Sequence, residues 1–179
     1  TDRDEACGLE IAERLADGRL ARTEFPRELE FDEALARLVV AAHDPLDQRQ
    51  QLRRQGAGSR YAQHLLALGG RLLRSNLRLA LEGQKAECRL DGLFLADGDR
   101  QVDLLTRVTH HGAATVTVQD YRGIATGRGR GALNGRITVL PTARVANASQ
   151  SSRNLLLTPL AEINARPQLE ILTDDVQCR

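Results

Sequence analysis

The stretch NLRLALEGQKAECRLDGLFLADGD, residues 76–99, decides the fold. Leu77, Leu79 and Leu81 alternate with Asn76, Arg78 and Ala80. After a break at Gly83 the alternation resumes, with Cys88 and Leu90 set against Arg89 and Asp91. Strict alternation over a short run puts successive side chains on opposite faces, the geometry of a strand with one buried face. Asp97-Gly98-Asp99 then marks a turn, because Asp bonds its own backbone and Gly tolerates a positive φ.

The same pattern extends outward. Val116 and Val118 alternate with Thr115 and Thr117, and Ile137 and Val139 bracket Thr138. Gly69-Gly70, Gly112, Gly123, the GRGRG run at 127–131 and Asn134-Gly135 supply turn signals between the runs. From Arg60 onward no segment of helical period intervenes, so strand follows strand about every ten residues, which suits a sandwich, a barrel or a β-solenoid. Aromatic residues make up only 3% of the chain. Sandwich cores normally carry large rings between their sheets, whereas Val, Leu, Ile, Thr and Ala stack readily on their own kind from coil to coil. The pattern favours an all-β solenoid.

Residues 1–55 are less regular. EIAERLADGRLA (10–21) has helical spacing at Ile11 and Leu15 but a turn signal at Asp17-Gly18, and ALARLVVAAH (34–43) suits either a buried strand or a helix before Pro45. The expected organisation is an N-terminal segment, 1–55, placed as first coils of the solenoid, and a core over 56–179.

Composition narrows the function. At 41% hydrophobic the chain can bury a core, and its length suits one domain. With 25 Lys plus Arg against 24 Asp plus Glu there is no overall field to recruit nucleic acid or an anionic membrane. No apolar run is long enough to cross a bilayer, and no signal peptide is visible. The 3 cysteines, Cys7, Cys88 and Cys178, are odd in number and too far apart for a disulfide frame or structural zinc site. These features point to a soluble cytoplasmic protein. The opening at Thr1 without Met and the stop just past Cys178 suggest a chain cut at both ends.

Each motif with chemical potential has a plainer reading. Adjacent imidazoles on a strand point to opposite faces, so His110 and His111 cannot share a metal without a bulge. A turn-facing or partly exposed pair is expected, and nothing in the spacing demands a site with Cys88. Arg128, Arg130 and Arg136 lie among glycines as in some RNA-binding segments, but no helix follows to hold phosphate and only Tyr121 is near for stacking. A tight solenoid corner with solvated arginines is expected there. Asp91, Asp97, Asp99 and Asp103 resemble a catalytic acid cluster of the kind polysaccharide-cleaving solenoids carry, yet they surround a turn that selects Asp. The Ser149–Ser152 run lacks the partners of a nucleophilic triad. No enzyme activity is expected.

Four segments carry a resemblance: ALGGRLLRSNLRLALEG (67–83), AECRLDGLFLADGDRQVDLLTRVTHH (86–111), QDYRGIATGRGRGALNGRITVLPTARVANASQSSRNLLLTPLAEI (119–163) and PQLEILTDDVQC (167–178). In this order and spacing, residues 60–179 resemble the core of the SufB/SufD family of iron–sulfur cluster assembly proteins, and are more like SufD than SufB. Ala146 and Ser152 depart from the Thr and Asn common in the family. The resemblance implies a right-handed parallel β-helix, truncated here at both ends.

It also implies partners. A SufB-like paralogue would be met by the last coils, at Leu155 and Leu157, at Leu169, Ile171 and Thr173, and at Asp174, Asp175, Val176 and Cys178. In the family a His-Gly-Ala-Thr sequence and a helical domain that docks on the SufC ATPase follow this point, so SufC would bind the full-length protein outside these residues. No cofactor is expected to stay bound, and an iron–sulfur cluster would be only a transient cargo of the full complex. Cys178 is retained as the metal candidate, against its plainer reading as a structural thiol, because Asp174 and Asp175 would raise its pKa. The alternative function is a standalone β-solenoid that binds protein or polysaccharide.

Overall fold

The alternation read at 76–99 recurs through most of residues 60–139. A computed structural model of the chain describes residues 35–41, 47–174 and 176–178, and the side chains of residues 52–174 and 176. Its strands are β1 (Leu35–Ala41), β2 (Asp47–Gln55), β3 (Arg60–Ala67), β4 (Leu72–Leu81), β5 (Glu87–Ala96), β6 (Gln101–His110), β7 (Val116–Ala125), β8 (Arg130–Val139), β9 (Ala146–Leu156), β10 (Glu162–Ile171) and β11 (Val176–Cys178). From β5 to β8 every second residue is buried. No helix occurs among the described residues.

The odd-numbered strands form one sheet, β1-β3-β5-β7-β9-β11, and the even-numbered ones another, β2-β4-β6-β8-β10, with every neighbouring pair parallel. Parallel neighbours need a crossover, and here the crossover is a strand of the other sheet. The result is a β-solenoid of about four turns. The coil-to-coil step is 29 residues from Asp99 to Arg128, 31 from His111 to Thr142 and 32 from Arg136 to Gln168. The ALARLVVAAH segment resolves as strand β1, paired with β3. Residues 1–34, including the helical spacing at Ile11 and Leu15, lie outside the described residues.

Stacked columns make the core. Leu79, Val108, Ile137 and Leu169 occupy one register position in successive coils, and Leu81, His110, Val139 and Ile171 the next inward one. Full burial of each such aliphatic side chain is worth about 1.5–3 kcal/mol. The described aromatics, Tyr61, Phe94 and Tyr121, are all buried. Gly92 sits in register with Tyr121 and Gly123 with Phe94; a Cβ at either glycine would fall on the neighbouring ring. Small residues beside large ones let the coils close.

Corners stack as well. Gly98 and Gly127 take the left-handed conformation at φ of 63° and 66°, and the Arg128 N–H donates to the Gly98 carbonyl at 2.8 Å. This is the tight corner that the GRGRG run suggests, with Arg128 and Arg130 exposed on it.

One strand turns its less apolar residues inward. In the first half of β7 the buried side chains are Thr117 and Gln119, while Val116 and Val118 lie on the outer face; Tyr121 and Ala125 follow in the same inward phase. The alternation holds, but at Thr117 and Gln119 its inward phase does not follow hydrophobicity.

Candidate functional site

The residues assigned by sequence to the partner contact fall on different surfaces. Leu155 stands over Ile124 and Leu95 on the outer face of the odd-strand sheet. Leu169 and Ile171 point the other way, as the last members of interior columns, and remain 42% and 43% exposed because no described strand covers them. Leu157 follows β9 and is exposed, Thr173 is half-buried, and Asp174 is exposed. Val176 pairs with Ala146 and packs against the core. Asp175 lies outside the described residues; Cys178 is placed through its backbone, in register with Ala148, and its side chain lies outside them.

The last described strand of each sheet lies in the last coil. Strand β10 is the outermost strand of the even sheet and β11 of the odd one. An edge strand presents a row of free N–H and C=O groups able to pair with another chain. The apolar Leu156, Leu157, Leu160 and Leu172 stand exposed around it. Chemically, this surface can extend a sheet and cover apolar area.

The interior holds a polar arrangement that sequence reading missed. His110 is fully buried, against the expectation of a turn-facing or partly exposed pair, while His111 is exposed. The two imidazoles do lie on opposite faces, as strand geometry requires. Thr115 Oγ1 donates to the Gly112 carbonyl at 3.0 Å, so it accepts from His110 Nδ1–H at 2.8 Å. Nε2 is then the acceptor for the Thr117 hydroxyl at 2.9 Å. Burial, with a smaller contribution from His111, lowers the His110 pKa to about 4. The ring is thus neutral at pH 7 with both nitrogens engaged, leaving no lone pair for a metal. The signal was present in the phase: Val102, Leu104, Thr106, Val108 and His110 are alternate residues of β6, and all are buried.

The other candidates separate too. Cys88 is a free buried thiol whose pKa burial pushes up to about 12, which keeps it protonated and poorly nucleophilic. Arg128 holds Asp99 through Nε at 2.7 Å and a second nitrogen at 3.0 Å, and this hydrogen bonding lowers the Asp99 pKa. Asp91 takes Arg89 at 2.8 Å and His64 at 3.1 Å, while Gln101 approaches Asp103. The four acids do not converge. Among the described residues no three His, Cys, Asp or Glu side chains are grouped to hold a metal ion, so no cluster chemistry is assigned to these side chains.

These features define a class: a parallel β-solenoid core with a buried interior of stacked columns that includes a hydrogen-bonded His–Thr group. Comparison with known proteins is more specific. The family model "SUF system FeS cluster assembly, SufBD core domain" matches residues 37–179, and the chain belongs to that family. It is 33% identical over 115 residues to the iron–sulfur cluster assembly protein SufD of Escherichia coli (strain K12), covering 64% of this chain and 27% of that protein. It is 29% identical over 124 residues to an iron–sulfur cluster assembly SufBD family protein of Synechocystis, covering 69% and 27%. To the chloroplastic protein ABCI7 of Arabidopsis thaliana it is 30% identical over 126 residues, covering 70% and 26%. The chain spans about a quarter of the length of these relatives, 27%, 27% and 26%.

Proposed function

We propose that the chain is the scaffold core of a SufD-like subunit in iron–sulfur cluster assembly, working beside a SufB-like paralogue. The family match over residues 37–179 carries this reading. The contact is the last coil, where the β10 edge and the inward-facing Leu169 and Ile171 offer backbone pairing and apolar cover together. Leu155 belongs to the outer flank of that contact. Thr173, Asp174 and Val176 run along its rim, Cys178 lies on its β11 side, and Asp175 is assigned to the same contact from the sequence alone. The subunit is not an enzyme and holds no resident cofactor; the cluster is cargo of the full complex. SufC docking is assigned to another part of the full-length protein. The proposed setting is cytoplasmic, without a membrane or nucleic acid as partner.

Co-expression with a SufB-like partner and SufC, followed by affinity capture on this chain, tests the reading. Recovery of the SufB-like partner is expected, with loss of recovery for the Leu169→Asp, Ile171→Asp double variant. Capture of neither protein by a folded, monomeric chain would overturn it and favour the standalone binding solenoid.

A further inference from the structure

Arg78, Arg107 and Arg136 stand in register on successive strands β4, β6 and β8. They repeat at the same 29-residue step that joins Asp99 to Arg128. Alternation puts all three on the outer face of the even-strand sheet, because their neighbours Leu77, Leu79, Thr106, Val108, Gly135 and Ile137 are buried. Leu52 lies beneath the column and Gln168 above it. The adjacent column reads Asn76, Leu105, Asn134 and Arg166. These two central columns thus hold four arginines between β4 and β10 and no acid.

Nothing within the described residues neutralises this ladder. Arg78, Arg107 and Arg136 are exposed, and no ion pair involves them. The one hydrogen bond from the three goes to a neutral acceptor, from Arg136 Nε to Gln168 Oε1 at 3.0 Å. Like charges on directly opposed positions of neighbouring strands destabilise a sheet. On the other sheet Asp91 also faces Asp120, and Arg122 faces Arg153, but Asp91 is paired with Arg89 and Asp120 with Arg122. A recess of about 170 Å³ opens against the ladder, lined by Leu105, Arg107, Asn134, Gly135, Arg136 and Gln168.

We infer that this face docks an acidic α-helix of a partner protein, lying along the solenoid axis across β4, β6 and β8. The spacing selects the occupant. Neighbouring strands are about 4.8 Å apart, so two steps of the ladder span about 9.6 Å. A helix rises about 1.5 Å per residue, so acids at i, i+3 or i+4, and i+7 span about 10.5 Å and meet successive arginines. An extended peptide shows same-side residues only every 6.8 Å or so, which falls out of step within two coils. Nor does the outer face offer it free backbone groups. Single-stranded nucleic acid needs rings for stacking, and this face has none. The inference does not rest on the paired-scaffold reading, because the last-coil edge is a separate surface.

The test is anisotropy titration of the chain against a labelled helical peptide of about 15 residues with Glu at heptad spacing, at about 50 and 200 mM salt. Binding is expected to weaken several-fold at the higher salt. The Arg78→Gln, Arg107→Gln, Arg136→Gln variant should lose affinity by on the order of tenfold, while Arg89→Gln, Arg122→Gln on the other sheet changes it little. A peptide of the same composition with scrambled Glu spacing should bind several-fold more weakly. Undiminished binding by the ladder variant would overturn the site. Equal binding of the scrambled peptide, or tighter binding of oligo-dT, would overturn the acidic helix as its occupant. Because the substituted residues are exposed, the variants should stay folded, with stability changes of no more than about 1 kcal/mol, and capture of a SufB-like partner at the last coil should be unaffected.

Discussion

The outer faces of the two sheets share one alternation and differ in how far their central charges are paired. On the odd-strand sheet Asp91 bridges Arg89 at 2.8 Å and His64 at 3.1 Å, and Asp120 holds Arg122 at 3.2 Å. On the even-strand sheet Arg78, Arg107 and Arg136 stack with no acid between them. Strand periodicity decides which side chains face water but not whether their charges are satisfied. A face that neutralises itself is complete as a solvated surface. One that stacks a single sign of charge is complete only with something opposite it.

Both faces rest on one interior, so the harshest way to break the comparison is to break that interior. Phe94 is fully buried with its ring against Gly123 and Gly131, where a Cβ at Gly131 would lie 2.6 Å from the ring. Phe94→Ala leaves a cavity whose walls are main chain of both sheets, with little freedom to collapse. A loss of about 3–5 kcal/mol is expected, read as a lower urea midpoint at constant m-value. A loss below about 1 kcal/mol would mean that the ring is not part of a close-packed core, and the two faces would then no longer share a rigid support.

A change of pH acts on the interior while leaving the ladder alone. His110 is held neutral in the folded state with a pKa of about 4, against about 6.5 in an unfolded chain. Between these values the unfolded state binds more protons, so stability falls as pH drops from about 6.5 through about 4. The expected loss is on the order of 3 kcal/mol, and denaturant midpoints between pH 7 and pH 4 would show it. Guanidinium groups keep their charge throughout. Most of the slope should survive His64→Gln with His111→Gln, since burial is the main cause of the shift. Disappearance of the slope in that double variant would assign it to the exposed imidazoles and their partners instead.

Much of this was legible in the chain. Leu77, Leu79 and Leu81 announce a strand, the turn at 97–99 ends the next one, and few aromatics favour stacked coils over a sandwich. The inward phase of β7 was not legible, because Thr115 and Thr117 are satisfied by His110, a residue of the opposite sheet. Grouping Leu155 with Leu169 hid a difference that only register reveals. ASQSSRNLL has no hydrophobic alternation, so nothing in it shows that Leu155 points outward while Leu169 points in. The ladder was hidden for a different reason. Its members are neighbours only at one coil step of 29 residues, a separation that only the register of β4, β6 and β8 reveals.

The smallest effect tests the comparison itself. Arg107→Gln removes the middle charge of the ladder while keeping part of its aliphatic stem. It should raise stability by a few tenths of a kcal/mol at about 10 mM salt, because one charge leaves two like neighbours. Arg89→Gln should lower stability by a similar amount, since it frees Asp91 from a pair that is largely exposed and therefore weak. Both differences should shrink at about 1 M salt, where screening acts within a few ångströms. Opposite signs at low salt, converging at high salt, would show that one face is self-neutralised and the other is not. If both substitutions lowered the melting temperature alike, the arginines of the ladder would be as well accommodated as those of the paired face, and its stacked charges would not call for a partner.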